Sequence, residues 1–346
     1  MYLEKKLEQQ AIQASVPCRI DFGGTLDIST IYLSLLDRHP SSFNIALDLR
    51  TFVTLKPWKK GVVKISSKGF ESAQFQYESA PFHHPMGLMF AVAKYFNAHG
   101  VHIHIESMSP PRSALGGSSS AAVAMAAALC KVQGKKIDLS KIAWLVHYIE
   151  ASVAGVPCGV QDQLAAAFGG VNQWMWKMGK MSPEFEQRII YDNENDIQAL
   201  NSNILIAYCG VPHVSKDING QWVSSFVNAQ TRHVFGEICD LTQAFSSAIQ
   251  HKDFEKAARL MNRETQLRCD MTPEVLDITG KKLFEKAVDL NCGARFTGAG
   301  GGGCLWAVGE QPDIRNLKAA WQDILEDIED AAILDAKIET KGIMIH

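Results

Sequence analysis

The sequence lacks the segments that would place it in a membrane or on a nucleic acid. Its 346 residues include no long uncharged apolar span, and the charged first residues, 1–8, carry no signal-peptide apolar region. Lysines and arginines form no run, and the formal net charge is -3, so no broad basic surface is expected. We therefore expect a cytoplasmic protein that binds neither nucleic acid nor a membrane.

Paired cysteine motifs and a Walker phosphate-binding loop are also missing. The eight cysteines are scattered and never form Cys-x-x-Cys, which favours reduced core residues over a zinc site or a disulfide framework. No glycine-rich loop is followed by Gly-Lys-Ser or Gly-Lys-Thr, as a Walker loop requires. No internal repeat or low-complexity tract is found, so we expect neither a repeat array nor a disordered chain.

The composition, 47% hydrophobic and 21% charged, is that of an ordinary globular protein with one large domain or two of typical size. Apolar patterning predicts strands over 12–22, 42–56 and 61–66, and the last two are expected to form a hairpin. Four helical stretches up to about residue 290 and a last strand near 336–339 are predicted in the second half. The predicted class is α+β.

A polar run at residues 192–196 is the candidate boundary between two lobes. We therefore predict an N-terminal domain over residues 1–195 and a C-terminal domain over residues 196–346. The first would be rich in strands, and the second would combine helices with a sheet.

A glycine- and serine-rich segment, residues 110–120, connects a predicted strand to an alanine-rich helix; we call it the phosphate loop. Its two prolines prevent a regular helix before it, the Gly116-Gly117 pair lets the backbone approach a ligand, and Ser118 can cap the helix. The first N–H groups of a helix have no intrahelical partner and carry the positive end of its dipole, which favours a phosphate. A tight loop that only caps a buried helix is the alternative.

A second glycine-rich run, residues 298–303, formally matches the dinucleotide-binding pattern Gly-x-Gly-x-x-Gly. That pattern requires a helix directly after it, whereas residues 304–308 read as a strand, so a Rossmann site is not expected. A hairpin whose glycine backbone presses against the phosphate loop is the functional alternative. The structural alternative is a tight turn that binds no ligand.

Four segments resemble motifs of the GHMP small-molecule kinases, the family of galactokinase, homoserine kinase, mevalonate kinase and phosphomevalonate kinase. Residues 110–121 resemble its P-x3-G-L-x-S-S-A loop, residues 14–24 its N-terminal motif, and residues 295–303 its C-terminal G-A-G-G-G motif. Residues 156–163 look like the P-C-G-x-x-D-Q segment of galactokinases and related sugar kinases. The segments occur in the family's order across essentially the whole chain, which is identified as a member of this family.

The resemblance implies a two-lobed GHMP kinase fold, with a β-rich N-terminal lobe that holds the phosphate-loop helix and a C-terminal lobe of helices and antiparallel sheet. It also implies ATP and Mg²⁺ as cofactors. The residues that would bind the nucleotide are Leu115, Gly116, Gly117, Ser118, Ser119, Ser120, Gly298, Gly300 and Gly301.

The same resemblance implies roles for individual side chains. Ser118 and Glu150 would be the protein ligands of Mg²⁺, which takes oxygen donors and commonly few of them from protein. Asp162 would accept or orient the proton of the acceptor hydroxyl, and Arg19 beside it would keep that carboxylate ionised. In isolation the three charged residues would be a solvated helix residue, a helix-capping aspartate and a strand-end arginine.

The substrate would be a small sugar, bound by Asp27, Gly24 and Asp162. Galactokinases carry Gly-Glu-His-Thr-Asp after the N-terminal arginine, whereas this chain has Gly-Gly-Thr-Leu-Asp at residues 23–27. That sequence is closer to the Gly-Gly-Gly-Thr-Asp of fucokinase-like and heptose-7-phosphate kinase-like members, although one residue shorter. Ala114 replaces the usual glycine of the phosphate loop, which predicts a locally altered backbone.

The function predicted from the sequence is therefore an ATP- and Mg²⁺-dependent sugar kinase, acting at the anomeric hydroxyl as a monomer or homodimer. A mevalonate- or homoserine-type kinase of a non-sugar alcohol is one alternative, and a non-catalytic nucleotide-binding regulator on the same fold is another. His213 and Lys216 could reach the substrate or lie in a surface loop. Trp58 could line an adenine pocket or pack within its hairpin.

Overall fold

The structure is a computed structural model that describes residues 2–180, 182–212 and 217–346. Its helices pack against two β-sheets. The strands of these residues are β1 (Ile12–Phe22), β2 (Ser41–Pro57), β3 (Val62–Ser67), β4 (Phe70–Gln76), β5 (Val101–Ser107), β6 (Val171–Met178), β7 (Pro183–Tyr191), β8 (Ile204–Tyr208), β9 (Gly293–Phe296), β10 (Cys304–Val308), β11 (Ala332–Ile333) and β12 (Met344–Ile345). The helices are α1 (Tyr2–Gln9), α2 (Ser29–Tyr32), α3 (Gly87–Tyr95), α4 (Gly117–Val132), α5 (Leu139–Val153), α6 (Gln161–Phe168), α7 (Glu194–Asn201), α8 (Ile218–Val227), α9 (Arg232–Gln250), α10 (Phe254–Met271), α11 (Ile278–Asp289) and α12 (Gln311–Leu325).

The first sheet contains eight of these strands, in the order β12-β1-β2-β5-β3-β4, with β6 and β7 continuing from β2. Only β3 and β5 pair in parallel; the other pairings are antiparallel. The predicted hairpin of β2 and β3 is wrong, because β5 lies between them. Its apolar residues Val101, Ile103 and Ile105 are buried, and the strand pairs with both neighbours.

A bulge in β1 helps to position the strand against the phosphate loop. The register with β2 shifts between Val16 and Cys18, around Pro17, which has no N–H to donate. The Pro17 carbonyl instead accepts a hydrogen bond from Ser120 Oγ at 3.1 Å. Just beyond the bulge, the backbone N–H of Arg19 donates to the Leu115 carbonyl at 3.1 Å. The side chain of Arg19 therefore leaves β1 next to the phosphate loop.

Helix α4 lies at the centre of the fold, with β1, β2, α5 and α6 packed around it. All its residues from Ser119 to Cys130 are buried, and their mostly small side chains let neighbours approach on several sides. The predicted cap at Ser118 is wrong. The helix begins at Gly117, and its N-cap is Gly116, whose φ of 78° is reached without strain only by glycine.

The second sheet is antiparallel in the order β11-β8-β10-β9. The four helices predicted before residue 290 are confirmed as α8 to α11. The strand predicted near 336–339 is wrong: there Ile338 makes a single bridge to Leu47, while the extended pairs are formed by β11 and β12.

The two sheets are connected through α7, which follows β7 and precedes β8. The chain then returns at its end to the first sheet, where β12 pairs with β1. The α+β class is confirmed, and the domain boundary after residue 195, which falls inside α7, stays a prediction. No helix in the described ranges has the length and apolarity that crossing a membrane requires.

Candidate active site

A cavity of about 460 Å³ opens between the phosphate loop, the end of β1 and the start of α6. It brings together most of the residues predicted from the sequence. Its lining includes Arg19, Asp27, Gly116, Gly117, Ser118, Ser119, Glu150, Asp162 and Gly298. Five predicted residues do not line it: Gly24, Leu115, Ser120, Gly300 and Gly301.

The phosphate loop offers the cavity the free N–H groups of a helix start. The first intrahelical bond runs from Ser120 N to Gly116 O at 2.9 Å, so the preceding N–H groups of α4 have no intrahelical acceptor. No side chain caps this end. Ala114 adopts the left-handed conformation, with φ at 60°, that glycine would adopt at lower cost. This end of α4 is suited to bind an anion.

The second glycine-rich run packs against the phosphate loop from the other sheet. Strands β9 and β10 form the predicted hairpin, and no helix follows the glycines. A Cβ atom on Gly303 would lie 2.7 Å from the Ser113 carbonyl, and one on Gly298 would lie 3.4 Å from that of Ala114. Gly300 and Gly301 instead lie against the Val275 carbonyl. The hairpin therefore presses on the phosphate loop, and only Gly298 of its predicted ligands reaches the cavity.

Arg19 and Asp162 form a bidentate ion pair on the cavity wall. Arg19 Nε donates to Asp162 Oδ1 at 2.8 Å and its Nη2 donates to Oδ2 at 3.0 Å, while Nη1 donates to the Ala114 carbonyl at 2.7 Å. Burial lowers the pKa of Arg19, but the charges of Asp162 and Asp21 outweigh burial and the pKa is raised. The Asp162 side chain is 23% exposed and the Arg19 side chain 5%, so the carboxylate remains accessible to a ligand.

Asp27 lies in the turn after β1 and is almost fully buried. Its Oδ2 accepts a hydrogen bond from the backbone N–H of Gln161, the first residue of α6, at 3.0 Å. A Cβ atom at position 159 would lie 1.7 Å from this carboxylate oxygen, so only Gly159 leaves room for Asp27. Burial raises the pKa of Asp27 to about 6. Gly24 lies nearby, between Asp21 and the Gln161 side chain.

Glu150 faces the cavity from α5, and its hydroxyl partner is Ser119. Ser119 Oγ donates to Glu150 Oε2 at 2.9 Å, and Gln163 Nε2 donates to the same oxygen at 2.6 Å. Burial raises the pKa of Glu150 to about 7. Ser118 lines the cavity but makes no such contact.

A hydroxyl and a carboxylate together fit a hard cation such as Mg²⁺, which prefers oxygen ligands. The described part of the chain contains no cluster of three or more His, Cys, Asp or Glu residues that could hold a metal. A cation bound at Ser119 and Glu150 would therefore complete its coordination with phosphate oxygens and water. The residues present fit such a cation, which would neutralise the charge of a bound phosphate.

A buried ion network behind the cavity was missed by sequence reasoning. Glu264 accepts from Arg268 Nε and from Arg295 Nε, both at 2.9 Å. Arg295 Nη1 also donates to Asp21 Oδ2 at 3.1 Å, and Asp21 Oδ1 accepts from Gly298 N at 2.8 Å. All four charged side chains are fully buried.

This network reaches the cavity at both of its ends. Asp21 Oδ1 lies 3.6 Å from Arg19 Nη1, and Arg268 Nη1 donates to Thr25 Oγ1 at 2.9 Å; both Arg19 and Thr25 line the cavity. Burial alone would raise the pKa of Glu264, but Arg295 and Arg268 hold it below its ordinary value. The sequence pattern that could have revealed this buried network is the position of Glu264 and Arg268 on the same face of α10 as the apolar Met261 and Ala257.

One residue considered from the sequence, Trp58, is not at this site. Trp58 does not line the cavity; it packs against His102, and Lys64 Nζ lies 4.2 Å from the centre of its ring. His213 and Lys216 lie outside the described residues.

The cavity thus combines a helix start suited to an anion with an arginine-paired carboxylate, two kinds of group that phosphoryl transfer uses. Two family models match the chain, GHMP kinases N terminal domain at residues 85–170 and GHMP kinases C terminal at residues 245–327. The chain therefore carries the N-terminal and C-terminal domains of the GHMP kinases, a family that uses ATP and acts on sugars or other small alcohols.

Known proteins that resemble the chain act on different acceptors. It is 26% identical to a mevalonate kinase of Thermococcus onnurineus over 290 residues, 76% of this chain and 81% of that protein. It is 24% identical to D-glycero-alpha-D-manno-heptose 7-phosphate kinase of Campylobacter jejuni over 206 residues, 59% and 60% of the two chains. The structure of Lactococcus lactis galactokinase complexed with galactose superposes with a TM-score of 0.76 at 18% identity, covering 99% of this chain and 98% of that one.

Replacing Glu264 by alanine is expected to lower the free energy of unfolding by about 3–5 kcal/mol, because two buried arginines lose their partner. Urea denaturation measures the change. Glu255→Ala is the matched control, since Glu255 pairs with Arg259 on the same helix with the same spacing but is exposed, and it is expected to cost less than about 1 kcal/mol. Equal effects of the two variants would contradict a stabilising network; if Glu264→Ala does not fold, Glu264→Gln serves as the test.

Asp27→Asn is expected to stabilise the protein in a pH-dependent way. Asp27 titrates at about 6 in the folded protein and near 3.8 when unfolded, so its contribution to stability is lost as the pH rises through about 6. The variant should therefore exceed the wild type by about 2–3 kcal/mol in free energy of unfolding at pH 8, and by less at pH 5. Urea denaturation across this range is the measurement. The exposed Asp323→Asn should follow the wild type, and a pH-independent difference for Asp27→Asn would refute the explanation.

Proposed function

We propose that this protein is an ATP- and Mg²⁺-dependent kinase that transfers the γ-phosphoryl group of ATP to a hydroxyl of a small sugar, the anomeric hydroxyl. The observation that carries the proposal is the Asp162 carboxylate, held by Arg19 in the same cavity as the free N–H groups of α4. Phosphoryl transfer requires mainly an in-line acceptor and neutralised phosphate charge, and this cavity offers groups for both.

Each group has a role in the proposed reaction. The N–H groups at the start of α4 bind the phosphates of ATP. Gly298, in the β9–β10 hairpin of the second sheet, contacts the same phosphates from the opposite side. Asp162 accepts the proton of the acceptor hydroxyl as the oxygen attacks the γ-phosphorus, while the bond from that phosphorus to the β–γ bridging oxygen breaks and ADP leaves. Arg19 holds the Asp162 carboxylate in place through two hydrogen bonds and contributes positive charge beside the phosphoryl group.

The bound cation would be held by Glu150 and a serine hydroxyl of the phosphate loop. The sequence suggests Ser118 for that hydroxyl, whereas the hydrogen bond of 2.9 Å to Glu150 favours Ser119. One carboxylate and one hydroxyl from the protein would leave most coordination positions of Mg²⁺ for phosphate oxygens and water, as this cation commonly requires.

A sugar as acceptor is supported by the residues around Asp162. Asp27, Thr25 and Gln161 line the cavity with side-chain groups that can hydrogen-bond to several hydroxyls. The P-C-G-x-x-D-Q segment that carries Asp162 resembles that of sugar kinases, and the superposition on a galactokinase supports the same substrate class.

A kinase of a non-sugar alcohol is the second candidate, because the likeness to mevalonate kinases extends over 76% of the chain. A panel of monosaccharides, sugar phosphates, mevalonate and homoserine, assayed for ATP consumption, distinguishes the two. Turnover of mevalonate or homoserine with no response to any sugar would refute the sugar assignment. Nucleotide binding without turnover of any acceptor would instead favour a regulator.

Asp162→Asn is expected to lower kcat for the best acceptor by about 10²- to 10⁴-fold, because the amide cannot accept the hydroxyl proton. ATP affinity, measured by calorimetry, should change by less than about threefold, since α4 is untouched. The matched control is Asp240→Asn, which removes the carboxylate of an exposed Arg–Asp pair and should keep kcat near the wild-type value. An Asp162→Asn enzyme with wild-type kcat would exclude the base assignment.

The serine that serves the cation can be identified by comparing two variants. Ser119→Ala is expected to raise the Mg²⁺ concentration for half-maximal activity about tenfold, and by more than Ser118→Ala does, because it removes the hydroxyl next to Glu150. Activity is titrated with Mg²⁺ at saturating ATP for both. A larger shift for Ser118→Ala would return the assignment to Ser118.

A further inference from the structure

Strand β7 forms an open edge of the first sheet. It pairs with β6 and with no other strand of residues 2–180, 182–212 and 217–346. The strand is nine residues long, and its Ile189 is 55% exposed. An unpaired edge of this length can accept a strand of another chain, and proteins usually shorten, cover or charge such edges. The partner that fits β7 follows from the direction of its backbone groups and from its charges.

The backbone groups that point outward from β7 are identified through β6. Trp176 N–H donates to the Pro40 carbonyl at 2.8 Å, on the side of β2, and successive residues of a strand point these groups to opposite sides. The odd-numbered residues of β6 therefore bond to β7, where they lie opposite its even-numbered residues. The outward groups belong to Phe185, Gln187 and Ile189. No hydrogen bond from another described segment reaches these groups.

The charges of β7 complement those of a second copy in one antiparallel register. A twofold axis at Gln187 places Glu186 of each copy opposite Arg188 of the other, which gives two pairs of unlike charge. Moving the axis by one residue places Glu186 or Arg188 opposite itself. Moving it to Phe185 places Glu184 opposite Glu186. Among the axis positions from 185 to 188, only Gln187 opposes unlike charges without opposing like ones.

The backbone and the apolar side chains agree with the same register. It opposes residue 185 to residue 189 and residue 187 to itself, so outward groups meet outward groups and each pair can exchange two hydrogen bonds. The Phe185 ring packs in its own chain against Trp174 and Trp144, with ring centres 5.3 and 6.1 Å away. Beside it, Ile189 of the second copy would bury its exposed side chain.

The charges on this edge are only partly matched within one chain. Arg188 donates to the neutral side chains of Gln173 and Gln250, and it forms no ion pair with any described residue. Glu186 pairs with Lys177 through Oε2, and its Oε1 accepts no hydrogen bond from the part of the chain that the structure describes. A second copy would supply a carboxylate to Arg188 and a guanidinium to Glu186.

The opposite edge of the same sheet lacks this complementarity. Strand β4 is seven residues long and contains a single charged residue, Glu71. Two copies of β4 therefore cannot oppose unlike charges in any register. Glu71 supplies a matched control for the charges of β7.

We propose that β7 is the dimerisation surface of this protein, and that two copies join their first sheets antiparallel across a twofold axis at Gln187. The partner is a second copy because the strand is complementary to itself in charge, backbone direction and apolar side chains. A contact built on one strand from each copy is small, so the expected dissociation constant is micromolar, about 1–100 µM. This inference does not depend on the proposed function.

Sedimentation velocity over about 1–100 µM protein measures the mass of the full chain. The mass is expected to rise with concentration from 38.1 kDa towards twice that value. Raising the salt from about 0.05 to 0.5 M should weaken the dimer, because exposed ion pairs are screened. A mass of 38.1 kDa at every concentration overturns the proposal, and would leave the edge to a different partner.

A charge exchange tests the pairing of residues 186 and 188. Glu186→Arg and Arg188→Glu each oppose like charges, and each is expected to raise the dissociation constant about tenfold or more. The double variant opposes unlike charges again and should return to within about threefold of the wild type. Glu71→Arg on β4 should dimerise like the wild type. Folded single variants that dimerise normally, or a double variant as weak as the single ones, overturn the assigned pairing.

Two cysteine variants test the register itself. Gln187→Cys is expected to form a disulfide-linked dimer under mild oxidation, because residue 187 opposes its own copy with Cα atoms about 5.5 Å apart. Ile189→Cys is the matched control: residue 189 is well exposed, but its two copies lie four residues apart along the paired strands, about 14 Å, which a disulfide cannot span. Non-reducing electrophoresis measures the linked fraction, with the wild type and its eight cysteines as background. Equal or faster linkage through residue 189 overturns the proposal.

Discussion

The bidentate ion pair between Arg19 and Asp162 fixes the geometry on which the rest of the site depends. A guanidinium holds its donors in one rigid plane, so the bonds to Asp162 and to the Ala114 carbonyl set the position of α6 relative to the phosphate loop. Asp21 pairs with both Arg19 and Arg295, and Arg295 pairs in turn with Glu264. The position of Arg19 is therefore linked to the positions of Arg295 and Glu264. The start of one helix, the end of a strand and the second sheet therefore share one electrostatic framework.

The parts of the site that sequence could predict are those controlled by local backbone chemistry. Glycine runs, proline and a helix start act within a few residues, so the phosphate loop, the β9–β10 hairpin and the absence of a Rossmann helix were all predictable. Asp162, within the P-C-G-x-x-D-Q segment, and Glu150, twelve residues before it, were singled out only through the resemblance to a kinase family. The resemblance to a kinase family added their roles, which the residues alone did not.

The parts that sequence missed depend on contacts between distant residues. Glu264 and Asp21 are linked only through Arg295, and no local pattern reports a partner that far along the chain. The prediction of a β2–β3 hairpin was wrong because β5, which comes later in the sequence, pairs with both strands and lies between them. The choice between Ser118 and Ser119 depends on which way each side chain points from α4, since successive residues are rotated by about 100° around a helix.

Because β12 pairs with β1 in the first sheet, the pairing of β1 is completed only after a much later part of the chain has been synthesised. Arg50 donates to the carbonyls of Lys341 and Gly342 at 2.9 and 2.7 Å and to Ser15 O at 2.8 Å, so the closing contacts of β1 and β2 come from the far end of the chain. While the protein emerges from the ribosome, the edge of β1 that β12 later covers stays unpaired and open to other strands. The strand that carries Arg19 thus reaches its final environment only after residues 344–345 have been made.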